Sequence, residues 1–264
     1  MNGIVLAVLL LAGLGLLCGL ILAVAAILMA VPKNELEEQL REALPGANCG
    51  ACGYSGCDGY AAALARREAP VGRCTPGGEE TLAVTSALLG VDGALERKVA
   101  VVRCAGCDEK APRKTTYTGI QSCRAAMQLF GGDKGCRFGC LGYGDCQKVC
   151  EYSSIAIENG IARIDPSLCR ACGKCTEVCP KDLIALTTPS TAMVLCSSRE
   201  KGAAQRKVCT AGCLGCGKCV RTCPSEAITV ENNLARIDEA RCTGCGACVA
   251  SCPTGCITLL PENP

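Results

Sequence analysis

Three runs in this chain share the pattern C-x2-C-x2-C-x3-C-P: Cys169, Cys172, Cys175, Cys179; then Cys213, Cys216, Cys219, Cys223; then Cys242, Cys245, Cys248, Cys252. No other feature restricts the fold so strongly. Three closely spaced thiols in a tight loop suit three corners of a cubane iron–sulfur cluster. The fourth Cys, followed by Pro, points away to the other cluster of a two-cluster fold. A disulfide framework does not suit neighbours this close, and zinc knuckles separate their CxxC pairs more widely. Gly173, Gly217 and Gly246 interrupt the runs where crowding is worst and leave backbone N–H groups free to face sulfur.

The composition agrees. The chain has 264 residues, 27 of them Cys, and no His. The lack of His excludes Cys/His zinc sites, Rieske centres, His-ligated haem and His acid–base catalysis. Thiolate ligation on this scale implies a reducing compartment. The formal charge of +2 counts every thiol as neutral, whereas each four-thiolate cubane carries about −2. With no basic block and few aromatics, nothing points to nucleic acid.

Residues 134–186 and 207–259 are two copies of one unit. Each carries a segment of the form [SA]-I-x-x-E-N-[GN]-x-A-R-I-D, which predicts two short strands around an Asn-Gly or Asn-Asn turn. In the second copy the logic of the runs gives one site on Cys213, Cys216, Cys219 and Cys252, and another on Cys223, Cys242, Cys245 and Cys248. In the first copy Cys150, Cys169, Cys172 and Cys175 form the matching second site. The first site is less simple. CRFGCLGYGDC (136–146) aligns with CTAGCLGCGKC (209–219), and Tyr143 stands where the later copy has Cys216. Cys140, Cys146 and Cys179 are in register, and Cys136 is the expected substitute ligand; a three-iron or lost cluster is the alternative. Cys209, in register with Cys136, reads as filler.

Upstream, Cys49-x2-Cys52-x4-Cys57 in a Gly-rich loop is followed by Cys74, enough thiols for one cubane, with zinc as the alternative. Cys104, Cys107 and Cys123 read as buried thiols or a possible further metal site. Cys196 and Cys256 read as core residues, and Cys18 as an apolar filler.

Residues 3–31 contain no charge, a run long enough to span a bilayer. The missing basic n-region and overlong apolar core argue against a signal peptide. Pro32 is expected to break the run. Lys33 and Arg41 favour a cytoplasmic side for the residues C-terminal to the run. The expected class is α+β: a transmembrane helix (1–32), a single-cluster 4Fe-4S module (33–98), a connector (99–133), a ferredoxin-like domain (134–186), a linker (187–206) and a second ferredoxin-like domain (207–264).

The membrane helix, the PGANCGACGYSGCDGYA motif (45–61) with its trailing Cys74, and the tandem cysteine runs together resemble the B subunit of the Rnf complex. The cysteine sets above give five [4Fe-4S] clusters, and the resemblance implies a single-pass protein of a bacterial or archaeal cell membrane, with the clusters on the cytoplasmic side. It implies electrons taken from soluble reduced ferredoxin and passed toward membrane flavin and iron–sulfur subunits and NAD⁺, coupled in the complex to Na⁺ or H⁺ movement. A polyferredoxin of a non-pumping hydrogenase or dehydrogenase is the alternative. The chain lacks a GxGxxG strand–helix unit, so nicotinamide chemistry is expected in a partner, and no catalytic residue is assigned here.

Overall fold

A computed structural model describes residues 2–28 and 34–261. The break expected at Pro32 and the charge at Lys33 lie outside the described residues. Helix α1 (Asn2–Leu28) carries no charged residue and is apolar after Asn2. Its Ala7–Ala25 stretch has a mean hydropathy of 2.8 and none of it is buried, so by length and composition it is able to cross a membrane. At 1.5 Å per residue the helix is ~40 Å long, against a hydrocarbon core of ~30 Å.

The first cysteine module is helical: α2 (Glu35–Ala43), α3 (Cys57–Ala65) and α4 (Gly78–Leu89). The Asn34 side chain accepts the Leu36 N–H at 3.1 Å and caps α2, whose first turn holds Glu35, Glu37 and Glu38, a charge pattern that suits the helix dipole. Leu40, Tyr60, Leu64 and Leu89 form the core between the helices. The Tyr60 hydroxyl donates to the Pro70 carbonyl at 2.9 Å and accepts the Arg73 N–H at 3.3 Å, so the loop leading to Cys74 is held down.

The rest of the chain is two units of the same plan. The first contains β1 (Val99–Val102), α5 (Cys123–Met127), α6 (Asp145–Lys148), β2 (Ile155–Glu158), β3 (Ile161–Ile164), α7 (Lys174–Val178) and β4 (Ile184–Thr187). The second contains β5 (Ala192–Val194), α8 (Gly202–Val208), α9 (Lys218–Thr222), β6 (Ile228–Glu231), β7 (Leu234–Ile237), α10 (Ala247–Ser251) and β8 (Ile257–Leu259). In each unit the two inner strands form a hairpin, β2–β3 and β6–β7. Their turns have positive φ at both central residues, Asn159 at 48° with Gly160 at 73°, and Asn232 at 50° with Asn233 at 63°. Asn and Gly tolerate that geometry, so the sequence signal for these turns is direct.

The outer strands also pair antiparallel: β1 with β4 (Val99↔Thr187) and β5 with β8 (Ala192↔Leu259). β1 lies in the stretch read as a connector and β5 in the stretch read as a linker. Each instead closes its own unit, and each begins a chain segment that touches the other unit. The Ala105 N–H donates to the Leu195 carbonyl at 3.0 Å, and the Thr210 N–H to the Lys110 carbonyl at 2.9 Å.

Candidate metal centres

One local device recurs four times. Helices α6, α7, α9 and α10 each start after a glycine in the left-handed region: Gly144 (φ 76°), Gly173 (82°), Gly217 (69°) and Gly246 (73°). In each, the second helical residue is a buried Cys: Cys146, Cys175, Cys219 and Cys248. A side chain at Cβ would strain that backbone, so glycine sets the entry angle that turns the thiol inward. At the other end of α7, α9 and α10, Cys179, Cys223 and Cys252 are extended. Each precedes a proline, which disfavours the helical region for the residue before it. The fourth thiol therefore leaves its own loop.

The thiols converge in groups. In the first module burial pushes the Cys74 thiol up to about 11; a backbone hydrogen bond at Gly77 opposes this, while Cys57, Cys52 and Cys49 press it higher. In the first unit, burial and then Cys169, Cys172 and Cys150 raise the Cys175 thiol to about 12. Those four line one shared depression. Backbone N–H groups of Ala100 and Ala171 donate to Cys169 Sγ at 3.4 and 3.5 Å.

In the second unit Cys213, Cys216, Cys219 and Cys252 line one shared depression together with Cys256. The Cys256 thiol donates to Cys213 and holds it low, to about 6; it also lies 3.7 Å from Cys252 Sγ. Cys256, read from sequence as a core residue, is buried as expected, but against two of these thiols. In the last group, burial and then Cys242, Cys223 and Cys245 raise the Cys248 thiol.

The remaining group departs from the sequence reading. Burial raises the Cys146 thiol to about 12, and the thiols that add to this are Cys140, Cys123, Cys179 and then Cys175 of the neighbouring group. Cys136, the expected fourth member, packs instead in a separate buried cluster with Cys209. The cause lies in α6. Asp145 Oδ2 accepts the Ser122 hydroxyl at 2.8 Å and the Arg124 N–H at 3.1 Å, and Lys148 Nζ donates to the Gln121 carbonyl at 3.0 Å. These bonds pin the start of α5 beside α6 and bring Cys123 to Cys146. The signal missed in sequence was an acidic residue next to Cys146 able to cap a distant Ser-Cys helix start.

Tyr143 points elsewhere. Its hydroxyl donates to Asp133 Oδ2 at 2.7 Å and accepts from Arg113 Nη1 at 3.2 Å. Arg113 also pairs directly with Asp133. Burial would raise the Asp133 carboxyl, but the bonds from Tyr143 and Arg113 outweigh it and hold it below the usual range.

Among the described residues no three Cys, Asp or Glu side chains converge tightly enough to hold a single metal ion. Four thiolates on one zinc share bonds of about 2.3 Å and must nearly touch. Four thiolates on four irons of a cubane stand further apart, and all-thiol, half-buried groups with N–H donors on sulfur fit that cofactor.

Comparison with known proteins agrees with that chemistry. Family models described as an Fe-S cluster domain, a 4Fe-4S binding domain and a 4Fe-4S dicluster domain match residues 44–76, 162–185 and 212–259. The chain is 44% identical over 241 residues to the B subunit of the Na⁺-translocating ferredoxin:NAD⁺ oxidoreductase complex of Acetobacterium woodii, covering 90% of this chain and 72% of that protein. It is 41% identical to the B subunit of the proton-translocating ferredoxin:NAD⁺ oxidoreductase complex of Clostridium ljungdahlii, covering 91% of this chain and 86% of the relative. It is 38% identical to the B subunit of an ion-translocating oxidoreductase complex of Methanosarcina acetivorans, with 88% and 89% covered.

Proposed function

This chain belongs to the family of B subunits of ion-translocating ferredoxin:NAD⁺ oxidoreductase complexes, and from that premise we propose how its residues serve that role. It is an iron–sulfur electron-transfer component of such a complex.

Five [4Fe-4S] clusters are held by Cys49, Cys52, Cys57 and Cys74; by Cys123, Cys140, Cys146 and Cys179; by Cys150, Cys169, Cys172 and Cys175; by Cys213, Cys216, Cys219 and Cys252; and by Cys223, Cys242, Cys245 and Cys248. The convergence of thiols in groups, each with at least one buried member, carries this reading. Bound clusters supply reversible one-electron chemistry at low potential. The chain supplies the rest. Its thiols fix the positions of the clusters, N–H donors such as those of Ala100 and Ala171 lower the negative charge on sulfur, and the burial of Cys146, Cys175, Cys219 and Cys248 limits water.

Helix α1 is a single membrane anchor that keeps the cysteine modules at the cytoplasmic face, where soluble reduced ferredoxin donates electrons. The acceptors are the flavin and iron–sulfur subunits of the complex. The described part of α1 carries no Asp, Glu, Lys or Arg, so Na⁺ or H⁺ crosses through other subunits. The two-cluster domains extend back to β1 and β5.

Anaerobic purification of the full chain with iron and acid-labile sulfide analysis tests the reading. At least about 20 Fe per chain, with matching sulfide, is expected, and Cys123→Ser removes or converts one cluster in the EPR spectrum. Colourless, zinc-loaded protein contradicts the proposal, and an unchanged Cys123→Ser spectrum contradicts the assignment of Cys123.

A further inference from the structure

Seven of the 27 thiols lie outside the five groups; of these, Cys104, Cys136 and Cys209 meet where the two units touch, and Cys107 stands three residues from Cys104. Cys104, Cys107, Cys136 and Cys209 are 8%, 7%, 6% and 6% exposed. Cys104 and Cys107 follow β1 in the first unit, Cys136 precedes α6, and Cys209 ends α8 of the second unit. Burial raises the Cys209 thiol, and Cys136 and Cys104 raise it further. Cys136 is likewise raised by burial and then by Cys104. A Cβ added at Gly106 would lie 3.2 Å from Cys209 Sγ and 3.7 Å from Cys104 Sγ, so the turn between Cys104 and Cys107 runs directly over these sulfurs. Cys107 packs in the same buried cluster as Cys104.

A second observation is independent of the thiols. Gln205 in α8 is 0% exposed, yet neither its carboxamide nitrogen nor its oxygen has a hydrogen-bond partner in the protein. Its side chain lies against Cys136 and acts to lower that thiol's pKa, as an N–H aimed at sulfur would. A buried carboxamide facing only neutral, packed thiols costs about 1–3 kcal/mol. Facing an anionic sulfur cluster, its N–H has an acceptor. The surroundings are otherwise small and apolar, with Ala111 and Ala211 both buried. Two cations act on these thiols: the half-buried Lys181 ammonium, which donates to the Arg137 carbonyl at 2.7 Å and faces Cys136, Cys104 and Cys140, and the buried Lys134, which faces Cys209.

We propose that Cys104, Cys107, Cys136 and Cys209 hold a sixth [4Fe-4S] cluster, shared between the two units and bridging them. The proposal rests on the iron–sulfur reading above and extends it to thiols contributed by both units. Its place in the relay follows from its neighbours. On one side the N–H of Cys140, in the Cys123 group, donates to Cys104 Sγ at 3.4 Å. On the other, Cys196 lies within electrostatic reach of both Cys136 and Cys213. The site therefore stands between one cluster of each unit, and electrons crossing from unit to unit have a stop there.

Iron and sulfide analysis of the full chain, purified anaerobically, tests this. Wild type is expected to hold about 24 Fe. Cys136→Ser, Cys209→Ser and the double variant are all expected to fall to about 20, since both residues serve one cluster. Cys196→Ser keeps the wild-type count and controls for general disruption of the junction. Wild type at about 20 Fe, with Cys209→Ser unchanged, overturns the sixth cluster and leaves the five-cluster reading standing. Additive losses in the double variant also overturn it, because the two thiols would then serve different clusters. Protein without iron or sulfide fails the underlying reading instead.

Discussion

Tyr143 holds the position at which the second unit has the thiol of Cys216, and its hydroxyl is engaged by Asp133 and Arg113. Asp133 is almost wholly buried, so the phenol is one of the donors that keep its charge tolerable. Tyr143→Phe is expected to destabilise the fold by about 1–3 kcal/mol in chemical unfolding while leaving the iron content unchanged. A lower iron content would give Tyr143 a direct part in holding a cluster. Gln205 gives a complementary case. Gln205→Leu is expected to keep the iron content and shift the EPR signal and potential of a single cluster to more negative values, through loss of an N–H donor to sulfur. If the site were only packed thiols, the same change would leave every cluster signal untouched and raise stability, since it removes an unsatisfied buried amide.

Short helices, not long ones, do the positioning. α6 is four residues long, yet Asp145 and Lys148 on it anchor the loop before α5 and thereby deliver Cys123. Asp145→Ala removes acceptors for Ser122 and Arg124, a loss of about 1 kcal/mol typical of helix caps. Its expected consequence is faster loss of one cluster to a chelator such as EDTA, with the other clusters as slow as in wild type. Uniform loss from all sites would contradict the local role of Asp145. At this scale the limits of the sequence become physical. The entry glycines and the outward turn of the Cys before each Pro in the C-x2-C-x2-C-x3-C-P runs were legible, because glycine, proline and spacing dictate them locally. The Asn159-Gly160 and Asn232-Asn233 turns were legible for the same reason. What escaped was non-local. Cys123 reaches its group through side-chain bonds to a helix some twenty residues away, and internal alignment instead favoured Cys136 because both copies keep a thiol there. The pairing of β1 with β4 and of β5 with β8 was missed likewise, since four- and three-residue strands carry little pattern of their own. The alignment of Cys136 with Cys209 was informative in another sense: the two equivalent thiols meet in space.

Across the whole molecule, the cysteine groups follow the chain from the module after α1, through the first unit, to the second. Hydrophobic burial alone is modest in such small units, whose cores are built around thiols as much as around Ile, Val and Leu. Removing metal is therefore expected to unfold the cysteine-rich units while leaving α1 helical, which circular dichroism of chelator-treated protein in detergent would register as a partial loss of helix and complete loss of visible absorbance. A fully native far-ultraviolet spectrum after metal removal would show that the thiol groups are preformed without their clusters. The central claim is that this chain carries electrons delivered by reduced ferredoxin. It is tested most directly by anaerobic titration of the iron-loaded, detergent-solubilised chain with chemically reduced ferredoxin, followed by visible absorbance and EPR. The account predicts bleaching that tracks added ferredoxin and the appearance of reduced-cluster signals; an iron-loaded chain that stays oxidised would contradict it.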